Sequence, residues 1–114
     1  MSQTIDQQCA KSAYDAYNTL RNNTDKEKIF SYAKKLPMMI IHSGLPNALM
    51  FKLKDHGVFV KVLLEWLVGS NIPETEIENK INSELLSDAT KLRYHTVKAM
   101  RWLEWFNRFA DTEN

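Results

Sequence analysis

Between Thr4 and Leu20 the apolar residues Ile5, Cys9, Ala13, Ala16, Tyr17 and Leu20 recur at the three- and four-residue spacing of a helix with one buried face. The turn "NNTDKE" follows, and Thr24 with Glu27 has the spacing of a capping box that opens a second helix. That helix runs through Ile29, Phe30, Ala33 and Leu36 to Pro37, where the missing N–H and the ring predict a kink or a restart before Ile41. Gly44 ends it, and Pro46 suits the first position of the next helix, "NALMFKL". A break is expected near "DHG", with Gly57 free to take unusual backbone angles. Val58, Phe59, Val62, Leu63, Trp66 and Leu67 then form a broad apolar face that lasts until Gly69. After the loop "GSNIPE", Ile77, Ile81 and Leu85 mark a short helix, and Ser87-Asp88 caps the last one. No run alternates with period two and no Asn-Gly or Asp-Gly hairpin turn occurs. The pattern predicts an all-α fold, a bundle of five to six helices forming a single domain over residues 1–114.

Composition agrees with one folded domain. A chain of 114 residues with 44% hydrophobic and 25% charged residues is near the average for a globular protein. A chain this long buries roughly two-thirds of the surface it would expose unfolded. Cys9 is the only cysteine, so no intrachain disulfide forms. The start "MSQTIDQQCAKSAYD" lacks the apolar run of a signal peptide, and "MMII" is too short to cross a bilayer. A cytoplasmic protein with no membrane partner is expected.

The net charge is +1, but it is unevenly distributed. Residues 71–90 carry five acids against Lys80, a balance of −4, and residues 91–110 carry five cations against Glu104, a balance of +4. Local pattern, not the total, therefore bears on partners.

Catalytic chemistry finds little footing. His42, His56 and His95 are scattered, without His-Glu-x-x-His or paired-cysteine spacing. Three glycines make no phosphate loop, and no serine sits in a nucleophile elbow. The acids of "ETEIE" read as first-turn residues opposing a helix dipole. No catalytic residue, metal site, cofactor or small-molecule substrate is expected, and the chain reads as a non-enzyme.

The last helix is more informative. On a helical projection Leu92, His95, Ala99, Trp102, Leu103, Phe106, Phe109 and Ala110 share the core side. Lys91, Tyr94, Lys98, Arg101, Trp105 and Arg108 form a second stripe at alternating spacings of three and four. A solvated flank would also carry Lys and Arg, whose stems cover apolar surface. What sets this stripe apart is the lack of acids on it and the presence of Trp105, a large apolar ring at a boundary. Cations for phosphates and rings for bases are the elements of an RNA-binding surface. A restart of the helix at Thr96 would shorten the stripe to Lys98, Arg101, Trp105 and Arg108. Lys52, Lys54 and Lys61 form a second basic group around "DHG"; taken alone it reads as solvated, and it is carried here as a further RNA-binding candidate.

Two segments, "LPMMIIHSGLPNALMFKLK" from Leu36 to Lys54 and "YHTVKAMRWLEWFNRFAD" from Tyr94 to Asp111, carry a resemblance. Together they resemble the small helical subunit of the type III-B CRISPR RNA-guided effector, the fifth protein of the Cmr complex. That family has a Leu-Pro followed by an apolar helix, an Asn-Gly-Leu turn, an Ala/Leu-Phe helix with a Lys, and a closing Tyr…Thr…Trp-Leu-Lys-Arg-Phe-Ala helix. Feature order and length agree along nearly the whole chain, although neither motif is a catalytic signature. Ser43-Gly44-Leu45 stands at the turn, with Ser where Asn is common, and Asn107 stands where the family usually has Lys, which removes one cation and leaves Arg108 as the survivor.

The resemblance implies a noncatalytic subunit in antiviral defense, stacked in several copies as a minor filament beside the subunits that hold the guide. Its implied partners are other Cmr subunits, adjacent copies of itself, and guide and target RNA. Base pairing would supply sequence specificity and this subunit charge and shape. An alternative of another class is a helical adaptor that binds only protein, because Trp and Arg also anchor protein interfaces. A helix-turn-helix DNA binder fits less well, since no short helix pair leads into a recognition helix with base-reading residues at its start.

Overall fold

Six α-helices build the computed structural model, which describes residues 4–51, 53–86 and 88–112. They are α1 (Ile5–Leu20), α2 (Lys26–Ser43), α3 (Leu45–Phe51), α4 (Leu53–Val68), α5 (Ile77–Lys80) and α6 (Ala89–Asp111). A 3₁₀ turn at Glu74–Glu76 precedes α5, and one turn of π-helix, Ile81–Leu85, follows it. No strand occurs among the described residues, so the fold is all-α.

Helix α6 is the axis on which the others are arranged. Its buried residues are His95, Ala99, Trp102, Leu103, Phe106 and Ala110, with Leu92 and Phe109 half-buried at the edges of the expected face. Helix α1 runs parallel to it, because contacts advance together along both: the Cys9 thiol donates to the Lys98 carbonyl, Trp102 Nε1 donates to Ser12 Oγ, and Tyr14 meets Phe109 edge-on. Helix α2 runs antiparallel, with Lys34 paired to Asp111 and Pro37 sharing a groove with Met100 and Glu104. Helix α4 is also antiparallel, with Phe59 against Phe106 and Trp66 against Trp102. The three rings of Phe59, Trp102 and Phe106 are fully buried at centroid separations of 5.1 to 5.7 Å. Removing one such ring typically costs about 3–5 kcal/mol. One buried cluster draws on every helix and includes Ile72 of the loop before α5.

Several local expectations are corrected. The capping box forms at α1 instead of α2: Thr4 Oγ1 accepts from the Gln7 N–H at 3.1 Å and Gln7 Oε1 accepts from the Thr4 N–H at 2.9 Å. At α2, Asn23 intervenes, its side chain accepting from the Asp25 N–H at 2.8 Å and its carbonyl from the Lys26 N–H. This Asn turn competes with the Thr24–Glu27 box, and the helix begins only at Lys26. Ile5 is largely exposed.

Helix α2 continues through Pro37 without a restart. Gly44 ends it at φ +85, as a left-handed glycine does. Helix α3 starts at Leu45, so Pro46 occupies its second position. The break in "DHG" is present, but it falls on His56 (φ −126, ψ 33), and Gly57 keeps a negative φ. Asp88 caps α6, accepting from the N–H groups of Thr90 and Lys91; Ser87, its expected companion, lies outside the described residues. Thr96 restarts nothing, because its hydroxyl donates to the Leu92 carbonyl at 2.7 Å within an unbroken helix.

Candidate nucleic-acid interface

With α6 continuous, Lys91, Tyr94, Lys98, Arg101, Trp105 and Arg108 do lie along one flank of a single helix. Each cation there has a specific environment. The Lys98 ammonium lies 4.6 Å from the Trp66 ring centroid on α4 and 5.2 Å from that of Tyr94. Arg101 Nη1 is 3.3 Å from Asp6 Oδ1 on α1, and the same oxygen accepts from Trp105 Nε1 at 3.1 Å. Arg108 pairs with Glu104 at 2.9 Å and its guanidinium carbon lies 4.9 Å from the Trp105 ring centroid. Lys91, in the first turn, is exposed and makes no ion pair among the described residues.

The stripe is therefore not free of acids, as the sequence had indicated. Asp6 comes to it from the other end of the chain, and Glu104 reaches it from one turn away. These contacts are weak. Exposed ion pairs contribute about 0–1 kcal/mol, and a Glu four residues before an Arg adds a few tenths. An exposed cation over a ring contributes about 0.5–1 kcal/mol. Arg101, Arg108 and Lys98 are held in place, yet a phosphate can compete for each of them. Four cations of the stripe, Lys91, Lys98, Arg101 and Arg108, stand with two acids among the described residues, Asp6 and Glu104.

Of the second basic group, Lys54 lies away from this face, lining an open cleft between α2 and α4 together with Lys28 and Lys35. Lys61 is half-buried on α4, and Lys52 lies outside the described residues. The acidic segment is also not remote from the basic helix, because the π turn packs against α6 and α3.

The titratable groups of the interior are structural in their contacts. His95 is buried on the core side of α6, and burial lowers its pKa, with Lys98 and Lys91 adding to the effect and Glu84 opposing it. Its Nδ1 has no hydrogen-bond partner. Burial raises the pKa of the Cys9 thiol and of the Tyr32 hydroxyl, which donates to the Ala48 carbonyl at 3.0 Å. His42 is exposed at the end of α2 and His56 stacks on Tyr32, so the three histidines stay apart. No group of three metal-ligating side chains occurs among the described residues, and no described helix is long and apolar enough to cross a membrane.

Sequence reasoning missed Asp6 and Trp66 as partners of the stripe. Asp6 entered no pattern read from the sequence, and Trp66 read as part of the apolar face of another helix. No spacing rule links residues that meet only through helix packing.

Fold and face together define a small all-α protein with cations and aromatic rings along one flank of its longest described helix. Residues 5–113 match the family model of CRISPR-associated protein (Cas_Cmr5), and the chain belongs to that family, the small subunit of the type III-B CRISPR Cmr complex. No curated protein and no solved structure matches the chain.

Proposed function

We propose that this chain is a noncatalytic subunit that stands in several copies along the Cmr complex, contributing the exposed flank of α6 to binding of the guide–target RNA during antiviral defense in the cytoplasm. The observation that supports the RNA role is the ribbon in which Lys98 lies over Trp66 and Tyr94 and Arg108 lies on Trp105, with Lys91 at its head. Such a surface neutralises phosphates and offers ring faces without reading base edges. Specificity then rests on base pairing between guide and target.

The test uses the assembled complex. Lys98→Ala with Arg101→Ala and Arg108→Ala weakens binding of single-stranded target RNA for every sequence alike. Each lost phosphate contact flattens the log–log salt slope by about 0.7. An unchanged slope with unchanged circular dichroism removes the RNA role from this face. The protein-only adaptor reading draws support from Asp6, which already engages Arg101 and Trp105. Under that reading the triple variant loses subunit occupancy while the salt slope of RNA binding stays the same. The noncatalytic assignment is checked separately: the pure chain leaves single-stranded RNA intact with or without divalent metal. Cleavage abolished by substituting one of its own acids or histidines would overturn it.

A further inference from the structure

Two donors on α6 converge on a single oxygen that belongs to another helix. Arg101 and Trp105 stand one turn apart on the same face of α6. Both donate to Asp6 Oδ1, the Trp105 indole N–H at 3.1 Å and the Arg101 guanidinium at 3.3 Å. A guanidinium and an indole N–H donate and never accept, and the first is permanently charged. The point where they meet is therefore built for an anionic oxygen.

Asp6 is a replaceable occupant of that point. It lies in the first turn of α1, but the cap of that helix is made by Thr4 and Gln7, so the start of α1 does not depend on it. The pair is also open to solvent, with the Arg101 side chain 56% exposed and that of Asp6 47%. A contact of this kind is screened and weak. A phosphate oxygen makes the same demands on a guanidinium and an N–H as a carboxylate oxygen does, and it can take the place of Asp6 when the aspartate turns away. The Trp105 ring is meanwhile engaged, with the Arg108 guanidinium 4.9 Å and the Phe109 ring 6.0 Å from its centroid. Its polar edge is what it holds towards Asp6.

We propose that the position of Asp6 Oδ1 is a phosphate subsite, formed by the Arg101 guanidinium and the Trp105 indole N–H, which Asp6 fills in the free chain and yields to a backbone phosphate of bound RNA. This rests on the RNA reading of the α6 flank and deepens it. Trp105 becomes a hydrogen-bond donor to the RNA backbone, and Asp6 an internal competitor for the same two donors.

The test is a double-mutant cycle on target-RNA affinity of the assembled complex, measured per bound copy, with wild type, Asp6→Ala, Trp105→Phe and the two combined. Phenylalanine keeps a large ring and loses the N–H. Asp6→Ala opens the subsite and tightens binding by up to about fivefold. In the wild-type background aspartate and phosphate both use the indole N–H, so Trp105→Phe changes affinity by about twofold or less; in the Asp6→Ala background the N–H serves the phosphate alone, and the same change weakens binding about fivefold. Asp6→Asn leaves an acceptor between the donors and gains less than Asp6→Ala. Circular dichroism of all the variants matches wild type. Equal costs of Trp105→Phe in the two backgrounds overturn the subsite. Equal gains from Asp6→Asn and Asp6→Ala overturn it too, since Asp6 then acts only as a distant charge. More copies per particle with Asp6→Ala, at unchanged RNA affinity per copy, give the subsite to an acidic side chain of a protein, against the proposal. If Lys98→Ala with Arg101→Ala and Arg108→Ala binds RNA as wild type does, the RNA reading itself falls, a result distinct from a missing coupling on a face that still needs its cations.

Discussion

Asn107 completes the hydrogen bonding that Pro37 breaks. Proline has no N–H, so Pro37 leaves the carbonyl of Ala33, four residues earlier in α2, without its helical donor. Asn107 Nδ2, on α6, donates to that carbonyl at 3.0 Å. The Oδ1 of the same amide is buried with no partner among the described residues, so the contact that Asn107 makes here is through its donor. The bond ties α2 to α6 where the groove between them, lined by Pro37, Met100 and Glu104, begins.

This relationship makes a double-mutant cycle decisive. Asn107→Ala costs about 1–2 kcal/mol by chemical denaturation, because a buried carbonyl loses its donor. In a Pro37→Ala background residue 37 regains an N–H for Ala33, and the same Asn107→Ala change costs about 1 kcal/mol less. Additive costs in the two backgrounds would show that the bond contributes nothing.

His95 sets a pH dependence. Burial lowers its pKa, Lys98 and Lys91 push the same way, and Glu84 pushes back. The folded state thus takes up the proton less readily than the unfolded chain, whose His titrates at its ordinary 6.5. The contribution to stability is complete above about pH 6.5 and falls as the pH drops from there towards the folded value, since the unfolded state binds more protons in that window. Melting temperature followed between pH 8 and 5 therefore declines on the acid side, and His95→Gln shows a flatter decline. Identical profiles in the two proteins would place the dependence elsewhere.

Asp6 holds the α6 face partly closed. One carboxylate oxygen serves both Arg101 and Trp105, but the Arg101–Asp6 pair is exposed and screened. Asp6→Ala lowers stability by no more than about 1 kcal/mol. It also removes a negative charge from the face, so target-RNA affinity of the assembled complex rises, most at low salt. A fall in affinity with an intact fold would mean that Asp6 positions Arg101 for its phosphate instead of competing for it.

Much of this architecture is legible in the sequence because it is local. The periodicity of α1 and of α6, the stop at Gly44 and the cap at Asp88 each depend on neighbours within a turn or two. The sequence fails where a second local option competes, as at Asn23, which displaces the Thr24–Glu27 box. It fails again where a distant residue repairs a local defect. Pro37 reads as a break, and only packing brings Asn107, from the far end of the chain, to the carbonyl that it frees. The α6 stripe was visible as a spacing, whereas its partners Asp6 and Trp66 were not, since they arrive from other helices.

Lys98 separates packing from charge on this flank of α6. Its stem lies half-buried against α4 and its ammonium sits over Trp66 and Tyr94, so truncation to Ala removes covered apolar surface as well as the cation. Lys98→Met keeps a stem of similar length. It should forfeit only the cation–ring attraction, about 0.5–1 kcal/mol of stability, whereas Lys98→Ala loses more. If the ammonium also neutralises a phosphate in the complex, Lys98→Met flattens the salt slope for single-stranded target by about 0.7, the same change as Lys98→Ala. The two variants then differ in stability and agree in slope. A slope that stays at the wild-type value in Lys98→Met would assign Lys98 to holding α4 against α6 and leave Lys91, Arg101 and Arg108 as the cations of this stripe available to RNA.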